Sequence, residues 1–419
     1  MRRIFFSLTF LALLAVTATV TLVCQTTCNE APSSTTQAAQ PPQITKNAPE
    51  VPVVEEDPRF APVGVAAQEE LDAAQIPGAV VLVGHQGRVV YRKAFGLRSL
   101  EPLPQSMTVD TIFDIASLTK VVATTPAIMQ LSDQGLLSID DPVVKYWPEF
   151  GQNGKNVITL RQLLTHTSGL REEINPGPNW SNYQGALEAI AVDRLIRPPG
   201  IKFHYSDVDF IVLGEIVQRV SGQQLDVYCT EKIFQPLKMR QTTFNPPENW
   251  RPNIAPSDKQ NGCWRWGKVQ DPDAYKFGGV AGHAGVFSTA DDLSLFAQML
   301  LNGGESHGVR ILSRGAVVAM TKPYVIPGSP IRRGLGWDIQ SHFSAEFNAS
   351  FPVGSFGHTG YTGTSIWIDP SSQTYLIILT NRLHPRGKRD IKTLRTKVAA
   401  AVAAAVPMGP PAGVLEEGK

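Results

Sequence analysis

Two β-hairpin signals stand near opposite ends of the chain's apolar body, and that separation constrains the fold more than anything between them. Ala79-Val80-Val81-Leu82-Val83, a turn at His85-Gln86-Gly87 and Val89-Val90-Tyr91-Arg92 read as one antiparallel pair. Thr364-Ser365-Ile366-Trp367-Ile368, a turn at Asp369-Pro370-Ser371-Ser372 and Tyr375-Leu376-Ile377-Ile378-Leu379 read as another. A helix from about Ala61 to Gln75 precedes the first hairpin, and one from about Arg389 to Ala405 follows the second. Between them the apolar spacing is mostly helical, at Gln162 to Thr165, Ala186 to Leu195, Asp209 to Val220 and Leu225 to Ile233. Asp291 to Leu301 adds a fifth segment, with Ser288-Thr289 placed to cap it. The implied class is α+β: one antiparallel sheet built from both chain ends and flanked by helices, with a mainly helical domain inserted at roughly 135–290. A cleft between the two parts is the default place for a site.

The termini read differently from this body, which spans 59–406. Arg2 and Arg3 lead into an apolar run from Ile4 to Val23, the pattern of an export signal. The run reads first as a cleaved signal, but is long enough for an uncleaved anchor, and Cys24 offers a lipidation site, so residues 1–24 are signal or anchor. Residues 25–58, rich in Thr, Ser, Gln, Ala and Pro, cannot repay their ordering entropy and read as a flexible tether. A Pro/Gly-rich tail occupies 407–419. The layout is that of an exported enzyme, periplasmic or extracellular, held near a membrane; a monomer is expected. Export would permit a bridge between Cys229 and Cys263, which could equally remain two buried thiols.

Composition excludes several functions. With 38 basic and 37 acidic residues the net charge is +1, so no basic field is present for nucleic acid. Four cysteines are too few for a disulfide-dense scaffold or a multi-cysteine zinc domain. Hydrophobic residues at 42% exclude a mostly disordered body.

Three short motifs carry chemistry. The first is Ser117-Leu118-Thr119-Lys120, followed by apolar positions that start a helix at or near Ser117. Spacing of three puts Ser117 and Lys120 on one face of its first turn. A serine hydroxyl needs a neighbouring base, and a lysine serves if partial burial lowers its pKa. Pro126 in the same segment should kink the helix and cost an interior hydrogen bond. The second motif is His204-Tyr205-Ser206-Asp207, on a loop before a helix, where Tyr205 can face a cleft and relay a proton. The third is Gly357-His358-Thr359-Gly360-Tyr361-Thr362-Gly363, whose glycines at a strand edge allow a ligand to approach the backbone. Read singly, each has a plain structural explanation: an N-capping serine with a solvated lysine, a half-buried tyrosine, a glycine-rich turn.

In this order and with these gaps, the three motifs resemble the serine β-lactamase and D,D-peptidase superfamily, which includes penicillin-binding proteins. Within it, the chain is most similar to the class C β-lactamase and D-alanyl-D-alanine carboxypeptidase branch, from about residue 60 to 405. Leu163 to Leu170 and Gly278 to Ala290 also look like family segments. The resemblance implies that Ser117 forms an acyl-enzyme and that Lys120 and Tyr205 share the proton relay. It implies that Asp207, His358, Thr359, Gly360 and Tyr361 contact substrate, the backbone N–H groups of Ser117 and Tyr361 forming an oxyanion hole. Asp207 stands where the family usually has asparagine, and His358 where these β-lactamases commonly carry lysine. No metal or organic cofactor is implied. His166 reads as a structural histidine, and His283 as a residue able to line the cleft.

A secreted member is placed to meet peptidoglycan-derived peptides, so a cell-wall D-alanyl carboxypeptidase or amidase leads. An esterase or a β-lactamase of the same fold follows, and a penicillin-binding or sensor domain without catalysis is the reading from another class. If His358 binds a substrate carboxylate as a cation, activity should fall as pH rises through its ordinary pKa of about 6.5.

Overall fold

The computed structural model describes residue 54 and residues 56–406, apart from 75, 178, 179, 327, 386 and 388. The signal or anchor segment, nearly all of the tether and the tail lie outside the described residues. Among the described residues no helix is long and apolar enough to cross a membrane.

The chain opens with helix α1 (Ala61–Ala74), then strands β1 (Gly78–His85), β2 (Arg88–Ser99) and β3 (Gln105–Ser106). The middle of the chain contributes helices α2 (Thr125–Asp133), α3 (Asp207–Ser221) and α4 (Ala290–Leu301), among shorter ones. Six more strands follow: β4 (Tyr324–Val325), β5 (Arg332–Arg333), β6 (Asp338–Gln340), β7 (Phe356–Thr359), β8 (Ser365–Asp369) and β9 (Thr374–Thr380). Helix α5 (Lys392–Ala405) closes the fold. The nine strands form one sheet in the order β4-β5-β6-β7-β8-β9-β1-β2-β3, antiparallel at each pairing.

The two terminal hairpins meet at the centre of this sheet, where Ala79 pairs with Thr380 and His85 with Thr374. Both faces are covered, which explains the near-continuous apolar runs. Side chains alternate across a strand, so Ala79, Val81 and Val83 pack with Leu376 and Ile378 beneath α1 and α5, against Val63, Leu71, Leu394 and Val398. Val80 and Leu82, with Ile377 and Leu379, join the larger core with Leu293 and Phe296 of α4.

The sequence pattern placed the long elements well. The expected helix at 209–220 is α3, begun by Ser206, whose hydroxyl accepts from the Asp209 N–H, and ended by Gly222 in the left-handed conformation at φ 72°. Thr289 caps α4 in the same way. Two points left to the structure are the helix after Ser117 and the state of Cys229. The segment after Ser117 is not one uniform α-helix. A 3₁₀ turn at Ala116–Leu118 leads to a π-turn at Lys120–Thr124 that continues in helical backbone into α2, so Pro126 stands where the run passes from π to α geometry, the local distortion expected beside a proline. Cys229 is a buried free thiol and forms no bridge to Cys263.

Candidate active site

Ser117 sits on the 3₁₀ turn, placed there by an unusual backbone. Ala116 has φ +46°, left-handed for a residue with a Cβ, and such strain costs of order 1–3 kcal/mol. Asp114 secures the turn from both sides, accepting from Ala116 N at 2.9 Å through Oδ1 and from Gln270 N at 2.6 Å through Oδ2. Burial pushes the Asp114 carboxyl up to about 6.

One turn on, Lys120 is wholly buried and donates to Ser117 Oγ at 2.9 Å and to the carbonyl of His283 at 3.2 Å. Its ammonium lies 2.7 Å from Asp207 Oδ1 and over the Tyr205 ring at 5.0 Å. Burial alone would favour the amine, but Asp207 and Tyr205 overcome it and hold Lys120 above its ordinary value, as a cation. Tyr205 is raised by burial, against the pull of Lys120 and its hydrogen bonds with Lys120 and Ser117, so it rests as the phenol. The three residues of the first two motifs therefore converge on one point.

The tyrosine loop is pinned by the segment that precedes it. His204 N donates to His166 O at 2.8 Å, Ser206 N to His166 Nδ1 at 3.2 Å, and Asp207 N to Glu172 O at 2.8 Å. The His166 ring lies 4.6 Å from that of Tyr205. Because Nδ1 accepts from Ser206 N, the Asp209 Oδ2 beside it at 3.1 Å fits best as a protonated donor. Burial raises the Asp209 carboxyl well above its usual range and, with Arg333 and Lys120 nearby, lowers His166 well below its own. The pair is two neutral groups that shape the loop.

The third motif forms β7 and the turn after it. Its glycines serve internal contacts first. A Cβ on Gly357 would meet the Trp367 ring at 2.1 Å, and one on Gly360 would meet Thr364 Oγ1 at 2.2 Å and Ile115 O at 2.6 Å. Thr362 and Thr364 donate to the carbonyls of Asp114 and Ile115 at 2.7 and 3.0 Å, so the strand end is tied to the Ser117 turn. Thr359 lies at the end of β7 nearest this junction, and Tyr361 is 49% exposed. Arg382 grips the Tyr361 carbonyl with Nε at 2.8 Å and Nη2 at 2.6 Å, which fixes the peptide following it.

His358 departs from its expected role. It is buried, and its Nδ1 lies 2.9 Å from the Thr359 carbonyl, which can only accept, so the proton is on Nδ1. Burial, Arg333 and Lys120 hold it well below the ordinary imidazole range. It is neutral at ordinary pH and offers no cation to a carboxylate.

The sequence reading missed Asp271. Its Oδ1 lies 2.9 Å from Nε2 of buried His283. Burial opposes both charges, yet each partner overrides it, lowering Asp271 and raising His283. Asp207, Asp271 and His283 present ligand atoms within 4.8 Å of one another, a spacing that a cation could bridge. Lys120 and His283 already match the two carboxylates with two positive charges, so the cluster is balanced by the chain itself. Asp114, two residues before the amide it holds, carried a turn signal and Asp271, followed by Pro272, a helix-cap signal, but nothing local tied Asp271 to His283 or announced Arg382.

Sheet, helices and this convergence define a serine hydrolase fold of the β-lactamase type. The beta-lactamase family profile matches residues 65–401, and the chain belongs to that family. A putative D-alanyl-D-alanine carboxypeptidase of Escherichia coli O157:H7 is 32% identical over 389 residues, covering 84% of this chain and 88% of that protein. An N-acetylmuramyl-L-alanine amidase of Bacillus subtilis (strain 168) is 31% identical over 349 residues, 74% of this chain and 78% of its own. Among solved structures, EstCE1, a hydrolase with promiscuous acyltransferase activity, superposes with a TM-score of 0.67 at 25% identity, over 82% of this chain and 98% of that one.

Proposed function

We propose that this protein is a serine amidase that cleaves an amide in peptidoglycan-derived peptides through an acyl-enzyme on Ser117. The observation that carries the reading is the 2.9 Å hydrogen bond between Lys120 Nζ and Ser117 Oγ, made by a buried lysine against the Tyr205 ring. In this scheme Ser117 Oγ attacks the acyl carbon while its proton passes to Lys120 in the amine form. The N–H groups of Ser117 and Tyr361 receive the developing oxyanion, each such donor being worth ~3 kcal/mol. The leaving amine takes the proton by way of Tyr205, and water repeats the sequence to release the acid.

Between the two cell-wall activities, charge favours the amidase. A D-alanyl carboxypeptidase must receive a terminal carboxylate, and His358 is neutral and buried where a cation would be useful. An amide whose leaving amine carries no free α-carboxylate makes no such demand, and the chain is similar to an amidase as well as to putative carboxypeptidases. The basic and apolar N-terminus supports action on the exported side of a membrane.

The test is a comparison of N-acetylmuramyl-L-alanyl peptide, a D-alanyl-D-alanine peptide, nitrocefin and p-nitrophenyl acetate on purified protein. Cleavage of the muramyl amide should be the fastest peptide reaction; preferential release of D-alanine overturns the amidase reading. Ser117→Ala should lose the fluorophosphonate adduct seen by intact mass, and an adduct that persists removes Ser117 as nucleophile.

A further inference from the structure

Asp207 is the residue that most changes the proton chemistry of this site. Its Oδ1 lies 2.7 Å from Lys120 Nζ, and the lysine side chain has 0% exposure. An asparagine amide at this place would leave the buried ammonium without a counter-charge. We propose that Asp207 holds Lys120 as an ammonium in the resting enzyme, so that the serine acquires its base only after Lys120 gives a proton to solvent, and the protein works on the alkaline side of neutrality. The proposal rests on the reading of Lys120 as the base of Ser117.

Groups from several elements face this pair. Lys120 comes from the π-turn and Tyr205 from the loop, its ring 5.0 Å from the ammonium. From α3 itself comes Asp209, whose carboxyl burial keeps neutral. The Glu172 carbonyl accepts from Asp207 N at 2.8 Å, and the Glu172 carboxyl is raised by burial and by Asp207. From the glycine loop come the His283 carbonyl, accepting from Nζ at 3.2 Å, and the His283–Asp271 pair, which adds one charge of each sign. Phe210 also lays its ring 5.8 Å from the ammonium. His166 and His358 are neutral, and Arg333, which faces both, is matched by Asp338 Oδ2 at 3.2 Å. Asp207 is thus the carboxylate in direct contact with the lysine, and once it is removed only the Tyr205 hydroxyl, resting as the phenol, still opposes burial.

The step balances without a further reagent. Lys120 loses one proton to water or hydroxide, and its amine then takes the Ser117 proton as the Oγ–C bond forms. That proton goes on to the leaving group as the C–N or C–O bond breaks, and water later restores the serine.

The experiment is the pH profile of kcat/KM from about pH 5 to 10 on p-nitrophenyl acetate, for wild type, Asp207→Asn, Asp207→Glu and Lys120→Ala. Wild type should show an alkaline rising limb. Asp207→Asn should move that limb down by at least about one unit, so the share of plateau activity present at pH 7 rises about tenfold. Asp207→Glu keeps the charge and should keep the wild-type limb. A role limited to folding or loop position would lower the plateau and leave the limb in place, and that outcome overturns the proposal. If Lys120→Ala acylates as fast as wild type, the reading of Lys120 as base fails instead; a dead Lys120→Ala with an unmoved Asp207→Asn limb removes the present proposal alone.

Discussion

Replacing Gly282 by alanine tests whether the glycine loop is built for close approach to α3 and so for the placement of Lys120. A Cβ at residue 282 would lie 2.0 Å from Phe210 O and 3.0 Å from Gly214 N, both helix backbone that cannot swing aside. Carbon beside a carbonyl oxygen settles at roughly 3.3 Å. The loop must therefore retreat by about 1.3 Å, the difference between that value and 2.0 Å. Two contacts travel with it: Thr124 Oγ1 donates to Gly282 O at 2.6 Å, and Lys120 Nζ to His283 O at 3.2 Å. A full retreat stretches the second to about 4.5 Å, beyond hydrogen bonding. Overpacking of this kind costs ~1–3 kcal/mol of stability, and a displacement near 1 Å at a reacting group costs about 10²-fold in rate. Urea midpoints and kcat/KM on p-nitrophenyl acetate measure both. Gly315→Ala is the control: that residue is exposed in the helix Arg314–Thr321, the nearest atom to its Cβ is Ser313 Oγ at 3.7 Å, and it should gain about 0.5–1 kcal/mol. If Gly282→Ala keeps wild-type stability and rate, the loop does not position Lys120 and the argument fails.

Two further outcomes follow from the same network. Asp271 is lowered and His283 raised, so the carboxylate's contribution to stability is present above its unfolded pKa of about 4 and the imidazolium's is present below about 6.5. Asp271→Asn should therefore cost most between those values, of order 3 kcal/mol, with the gap to wild type narrowing as pH rises through the folded pKa of His283; a gap that is flat across pH in denaturant titrations excludes the ion pair. Arg382→Lys replaces a two-donor grip on the Tyr361 carbonyl with one donor. It should lower kcat about tenfold through misplacement of the neighbouring N–H, with KM little changed, and a change in KM alone would assign Arg382 to binding.

What could be read from the chain before folding was whatever repeats locally. The continuous apolar runs of Ala79 to Val83 and Tyr375 to Leu379, bounded by turn residues, named the central strands, and the apolar spacing of Asp209 to Val220 named α3, because run length, period and capping are properties of neighbouring residues. Ser117, Lys120 and Tyr205 were legible as members of short motifs for the same reason. Strands β4 to β7 were not, since runs of two to four residues carry no period and exist only because longer strands offer them an edge. Nor were the charge states. The sequence offered His358 as a cation only if it kept its ordinary value, and it is neutral under burial beside Arg333 and Lys120; it offered Lys120 as a base if burial freed the amine, and Lys120 is held as a cation by Asp207, which is 87 residues away. Side-chain type is written in the sequence, but solvation and counter-charge come from residues that meet only when the chain closes, and in this site those two terms decide which atom holds the proton.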